Sequence, residues 1–177
     1  LQPGDIYVAD CFNKIVDGTL IGDNLGNSIF AKSQNGVVFY GSVRDVEGLE
    51  KIDGFNAWIK GDDPSYLQEV MLGGINIPIR IGRAVVLPGD AVLAKKNGVI
   101  FIPSFLVEEV VLNAEFIALK DKFGHQRLRE GKYTAGQIDQ SWTDDIKNDF
   151  LQWLDENSDK LPMSREELES YMKERTW

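Results

Sequence analysis

Short apolar runs bounded by Gly, Pro, Asn and Asp fill the first hundred residues. Residues 5–9, 36–40, 57–59, 75–79, 84–87, 91–94 and 99–102 are rich in Val, Ile, Phe and Tyr, and their bounding turns predict strands. Between the early runs the apolar period changes. Leu25, Ile29 and Phe30 fall at i, i+4 and i+5 within residues 23–33, and Val46, Leu49 and Ile52 recur every three residues within 45–52. Both spacings predict helices. The order βαβαβ implies parallel strands joined by crossover helices. From residue 75 to 103 the strands follow one another through tight turns at Pro88-Gly89-Asp90 and Lys95-Lys96-Asn97-Gly98. Asn-Gly is a strong hairpin signal, because both turn positions take positive φ. The fold class read from this pattern is α/β, with a meandering β portion.

After Pro103 the pattern becomes helical. Ser104 suits an N-cap, and a helix is expected from about 105 to 122 with Leu106, Val110, Phe116, Ile117 and Leu119 as its apolar positions. Residues 123–140 read as polar and irregular. Ile146, Phe150, Trp153 and Leu154 then mark an amphipathic helix, and Ser164-Arg165-Glu166-Glu167 is a capping box opening a last helix that holds Leu168, Tyr171 and Met172. The expected division is an α/β domain over residues 1–122 and a C-terminal helical extension over 123–177. Residues 141–177 carry ten acidic and five basic side chains. The plain reading is a solvated helical hairpin with one apolar face. The other is a subunit-contact arm anchored by Trp142, Trp153 and Trp177.

Composition changes this picture only by exclusion. The chain has 177 residues, 43% hydrophobic and 27% charged, which suits one globular domain with an appendage. A net charge of −9 and the lack of a basic block argue against a nucleic-acid partner. Cys11 is the single cysteine, so there is no internal disulfide framework and a reducing, cytoplasmic location is expected. No apolar run reaches the ~18 residues that span a bilayer, and no secretory leader is expected. The chain opens on Leu1 rather than Met, which leaves room for a preceding segment.

The candidate chemistry lies in two places separated by twenty residues. Gly22-Asp23-Asn24-Leu25 opens the first predicted helix, where free N–H groups and the helix dipole favour an anion. Arg44-Asp45 follows the apolar run Val37-Val38-Phe39-Tyr40. An arginine fork there can clamp a carboxylate, and an aspartate can hold a hard cation such as Mg²⁺ or Mn²⁺ with water completing its shell. Each residue also has a plain reading. Asp23 or Asn24 can cap the helix, Asp45 can cap the helix starting at Val46, and Arg44 can pair with Asp45, Glu47 or Glu50 on the surface. His125, the only histidine, reads as a loop residue, and Cys11 as a buried small apolar group. Asp10 and Asp17 read as turn residues or outer supports of the site. No phosphate-binding glycine loop and no Cys-x-x-Cys pair is present.

Taken in order, Gly4-Asp5-Ile6-Tyr7-Val8-Ala9-Asp10, Gly22-Asp23-Asn24-Leu25, Gly41-Ser42-Val43-Arg44-Asp45, Leu87-Pro88-Gly89-Asp90 and Gly98-Val99-Ile100-Phe101-Ile102-Pro103 resemble the RraA-like family. That family includes the class II 4-hydroxy-4-methyl-2-oxoglutarate and 4-carboxy-4-hydroxy-2-oxoadipate aldolases and the regulators of ribonuclease activity. The resemblance covers roughly residues 3–115. It implies a layered β/β/α swivelling domain, assembled as homotrimers or larger rings with active sites between subunits. It implies a divalent cation, Mg²⁺ or Mn²⁺, on Asp45. Arg44 and the backbone of Gly22, Asp23, Asn24 and Leu25 would bind a 2-oxo acid, and Asp23 would orient a water on the metal near the reacting hydroxyl. The activity implied is retro-aldol cleavage of a 4-hydroxy-2-oxo acid to pyruvate, with oxaloacetate decarboxylation through the same enolate. A non-catalytic regulator or binding protein is the alternative, and a relative sharing only the fold is a third. Members usually carry a helical segment before the first strand, which can supply an acidic residue to a neighbouring site.

Overall fold

The computed structural model describes residues 1–173. It forms two compact units, Leu1–Phe105 and Leu106–Trp177.

In the first unit the chain alternates between two small sheets. Strands β1 (Tyr7–Asp10), β3 (Val37–Tyr40) and β5 (Ala57–Trp58) form one, in the order β1-β3-β5. Strands β2 (Thr19–Ile21), β4 (Ser42–Val43) and β6 (Gly61–Asp62) form the other, in the order β2-β4-β6. All four pairings are parallel. Helix α1 (Asp23–Ser33) carries the chain from β2 to β3, and α2 (Val46–Leu49) lies between β4 and β5. The expected βαβαβ order with parallel strands is present. Its central strands are buried on both faces, which is why Val37, Val38 and Phe39 form an unbroken apolar run. Ile21, Ile29, Val37, Phe39, Val43 and Leu49 pack as one core, so strand ends and helix faces from both halves share it. The buried Ser42 hydroxyl donates to the Ile15 carbonyl at 2.6 Å, which removes the cost of placing a polar group there.

Two antiparallel hairpins follow, β7 (Ile79–Ile81) with β8 (Ala84–Val86) and β9 (Ala91–Lys95) with β10 (Gly98–Ile102). Lys96 and Asn97 form the two-residue turn of the second, and Gly98, at φ 148°, opens β10, so the expected Asn-Gly turn is shifted by one residue. The expected strand at 75–79 is displaced, and pairing begins only at Ile79. Asn76 sits at φ 54° and Pro78 has no N–H to give a ladder. The expected meander is two separate hairpins, since β8 and β9 do not pair.

The second unit is helical, and here the sequence reading needs three corrections. A short 3₁₀ turn, Ser104–Leu106, precedes α3 (Val107–Arg129), so Ser104 is not its N-cap. Helix α3 runs seven residues past 122, so a boundary drawn there cuts a continuous helix. His125 lies on that helix, exposed, and not in a loop. The reason is that Phe116, Leu119 and Phe123 continue one buried stripe. Gly131, at φ 68°, ends the helix, where its N–H donates to Leu128 and that of Lys132 to Arg127. Helices α4 (Ala135–Ile138), α5 (Asp144–Glu156) and α6 (Arg165–Lys173) complete the unit. The Ser164–Glu167 capping box forms as expected, with the Ser164 N–H donating to Oε2 of Glu167 at 2.9 Å. Phe123 is fully buried, with ring centroids of Trp142 and Phe150 both at 5.3 Å. Trp142 and Trp153 are therefore core residues of this unit, and Trp177 lies outside the described residues.

One charge is built into that core. Asp149 is buried and accepts from Arg127 Nε and Nη2, Lys132 Nζ and the Tyr133 hydroxyl at 2.8–3.0 Å. Burial pushes its carboxyl up, but the donors from Arg127, Lys132 and Tyr133 outweigh this and hold it below the ordinary carboxylate range. A depressed value means the stabilisation is fully present at neutral pH and is lost as pH falls through the folded value. Asp149→Asn is expected to cost about 3 kcal/mol near pH 7, because Arg127, Lys132 and Tyr133 lose the carboxylate they converge on and the mostly buried Arg127 keeps only Glu130. The gap between wild type and variant, read by urea unfolding at a series of pH values, should close in acid. A pH-independent gap would remove the charge from the explanation.

Candidate active site

The two candidate segments meet because β2 and β4 are neighbouring parallel strands whose carboxyl ends lie at the same sheet edge. The Arg44 N–H donates to the Ile21 carbonyl at 2.9 Å, extending the pairing just past both strands. In parallel α/β sheets this edge, where helices begin, is where ligands bind. Gly22 is the N-cap of α1, and Asp23, Asn24 and Leu25 form its first turn. Asp45 precedes α2. Together with Leu20 and Ile21, these residues and Arg44 line one recess of about 120 Å³. All six residues singled out from the sequence are in it. Leu20 and Ile21 were not anticipated, because a three-residue strand is too short to show a period.

The plain readings are partly realised. Arg44 Nε lies 3.5 Å from Asp45 Oδ2, with both side chains about a third to a half exposed, so the surface pair exists. Such a pair contributes about 0–1 kcal/mol and leaves the guanidinium fork available. Capping is not realised. Neither helix has a side-chain cap hydrogen bond, and Oδ1 of Asp23 accepts instead from the N–H of Asn24 at 2.8 Å.

Backbone and packing both show a site under constraint. Asp45 sits at φ 56°, ψ 43°, a left-handed conformation uncommon for non-glycine residues and reached most readily by Asp and Asn. Gly22 and Gly48 leave the space that the two carboxylates occupy. A Cβ on Gly22 would lie 2.2 Å from Asp45 Oδ2, and one on Gly48 would lie 2.6 Å from Asp23 Cβ and Oδ2. Each carboxylate thus leans on a glycine of the opposite segment. The absence of side chains at 22 and 48 is what lets the two acids approach the recess.

Among the described residues no group of three or more His, Cys, Asp or Glu side chains could hold a metal ion. What the recess offers is two carboxylates, Asp23 and the half-exposed Asp45, beside a helix N-terminus. That donor set fits a hard divalent cation that keeps most of its shell as water or substrate oxygen. Asp10 accepts from the Phe12 N–H and Asp17 from Gln68 Nε2, so both serve loop structure away from the recess. Cys11 is buried, and burial pushes its thiol above the ordinary range, which makes it a poor nucleophile.

The fold places a recess at the carboxyl ends of parallel strands in an α/β domain. Residues 1–101 match the family described as RraA-like: Aldolase/RraA, and the chain belongs to that family. A protein of Alcanivorax borkumensis named "Putative 4-hydroxy-4-methyl-2-oxoglutarate aldolase" is 35% identical over 99 residues, 52% of this chain and 61% of its own length. Streptomyces coelicolor RraAS2, titled an unusual member of the RNase ES inhibitor RraA protein family, superposes with a TM-score of 0.67 at 28% identity. The match covers 72% of this chain and 64% of that one. An uncharacterised Pseudomonas syringae protein shares the fold with a TM-score of 0.70 at 22% identity, over 78% of this chain and 64% of its own. The chain spans about half to three-fifths of the length of the curated relatives it matches. The α/β fold is similar to that of RraA-fold proteins, and C-terminal helices are present in this chain. No described helix is long and apolar enough to cross a membrane.

Proposed function

We propose that the protein is a divalent-metal-dependent lyase that cleaves a 4-hydroxy-2-oxo acid to pyruvate. The observation that carries this reading is the convergence of Asp23, Arg44 and Asp45 on one recess at a helix N-terminus. The aldolase names of several relatives point the same way.

Arg44 takes the substrate carboxylate through its planar fork. The first-turn N–H groups of α1 face the anion from the other side. Asp45 would hold Mg²⁺ or Mn²⁺, which when bound supplies Lewis acidity at the 2-keto oxygen. Asp23 accepts, through a water, the proton of the 4-hydroxyl as the C3–C4 bond breaks. The electrons of that bond become the enolate of pyruvate, whose charge develops against Arg44 and the helix N-terminus, C4 leaves as a carbonyl, and a proton from water to C3 completes pyruvate. Loss of CO₂ from oxaloacetate yields the same enolate, so decarboxylation is proposed as a side activity. The working form is proposed to be a homotrimer or larger ring.

The full-length protein, supplied with Mn²⁺ or Mg²⁺ and 4-hydroxy-4-methyl-2-oxoglutarate or oxaloacetate, should release pyruvate. Chelation should stop release and either cation should restore it. No pyruvate from either acid would overturn the reading. Gly22→Ala should cut release on the order of tenfold with little change in Tm, because its Cβ displaces the Asp45 carboxylate from the recess.

A second reading rests on the Streptomyces neighbour, whose title places it in a ribonuclease-inhibitor family. A regulator of that kind would bind a ribonuclease equally well with Asp45 intact or replaced by Asn, and would form no pyruvate.

A further inference from the structure

Asn-Gly occurs twice in this chain, each time followed by Val, as Asn35-Gly36-Val37 and Asn97-Gly98-Val99. The pair carries chemistry as well as turn preference. Glycine has no Cβ to shield its own nitrogen, so that nitrogen can attack the side-chain carbonyl carbon of the preceding Asn. The C–NH₂ bond breaks, ammonia leaves and a five-membered succinimide closes. Water then opens the ring at either carbonyl, giving aspartate or isoaspartate. One water is consumed, one ammonia is released and no other reactant is needed. The Asn side chain must be free to swing onto the next nitrogen, and the Gly backbone must be free to receive it.

The fold treats the two copies differently. Asn35 is tied down. Its Nδ2 donates to the Gly4 carbonyl at 3.1 Å, its N–H donates to Ser33 Oγ at 3.2 Å, and its carbonyl accepts from the same hydroxyl at 3.2 Å. Gly36 is buried at the entry to β3, the central strand of its sheet, and a Cβ on it would lie 1.6 Å from the Asn56 carbonyl oxygen. A succinimide has no room to close there. Asn97 is exposed in a two-residue turn, and among the described residues its side chain makes no hydrogen bond. A Cβ on Gly98 would meet nothing within 4 Å. Gly98 pairs with Lys95 at the very end of a ladder of only two strands, and an end pair frays at little cost. Lys95 and Lys96 are exposed beside it, and their positive charge favours the deprotonated nitrogen that attacks.

We propose that Asn97 is a self-modification site, which converts to isoaspartate and aspartate in the folded protein while Asn35 stays intact. Either product puts a carboxylate next to Lys96 where a neutral amide stood. The isoaspartyl product also lengthens the main chain by one atom in a tight turn, beside the Lys95 carbonyl that accepts from Trp58 Nε1 at 3.0 Å. The site lies on a hairpin and uses none of the recess residues, so it stands independently of the lyase reading.

The test is peptide mass mapping of the 177-residue chain after incubation in mildly alkaline buffer, native and in concentrated guanidinium chloride. Conversion exchanges NH₂ for OH and is read from the masses of the peptides that hold residues 35 and 97. In the native protein Asn97 should convert at least about tenfold faster than Asn35, which must wait for local unfolding. In denaturant the two rates should come together, because the fold and not the local sequence separates them. Asn97→Gln should hold its peptide at the starting mass over the same period, since glutamine would have to close a slower six-membered ring. Equal rates for the two sites in the native protein, no conversion of Asn97 there, or a tenfold gap that persists in denaturant would each overturn the proposal.

Discussion

Asp45→Asn is expected to lower pyruvate release by about a hundredfold or more. Deleting one fixed group that stabilises a developing oxyanion costs on the order of 10²–10³ in rate, and the cation that Asp45 would hold is such a group. Asparagine is the cleaner substitution. It keeps the shape and tolerates the left-handed backbone at φ 56°, ψ 43° that alanine would resist. The side chain is half exposed and its pair with Arg44 is loose, so Tm should stay close to that of wild type. Mn²⁺ binding, followed by electron paramagnetic resonance, should weaken in parallel. Activity within about threefold of wild type would leave Asp45 without its proposed role.

Phe123→Ala is expected to cost about 4 kcal/mol in the unfolding of the helical unit. The ring is fully buried and packs on Phe150 and Trp153 of α5 and on Tyr133 and Trp142 in the loops on either side of α4, all large, so the hole left behind closes poorly. Tryptophan fluorescence during urea unfolding would report the change, because Trp142 and Trp153 sit in that core. A loss below about 1 kcal/mol would mean that the aromatic cluster repacks around the gap.

The βαβαβ frame was legible because β3 stands out as an unbroken apolar run and α1 is long enough to show a helical period. Strands β2, β4 and β6 were not, since two or three residues cannot display alternation. Yet these short strands bring Gly22 beside Asp45. The site residues were therefore visible from their chemistry and order, while the reason they meet was not. The course of α3 beyond 122 was hidden by its polar face, where Lys122, His125, Gln126 and Arg127 mask the buried Phe123 and Gly124 between them. Asn76 and Pro78 moved the start of β7 by backbone preference, against an apolar pattern that favoured a strand from 75.

The reciprocal seats of the two carboxylates on Gly22 and Gly48 have a consequence for how this domain can change by descent. An exchange between related genes with its breakpoint in α1 or β3 joins one parent's residue 22 to the other parent's residue 45. It likewise joins residue 23 from the first to residue 48 from the second. Each crossover is viable only when the parents agree at both contacts. The recess is thus inherited as a linked block, although its two halves lie on either side of a helix and a strand.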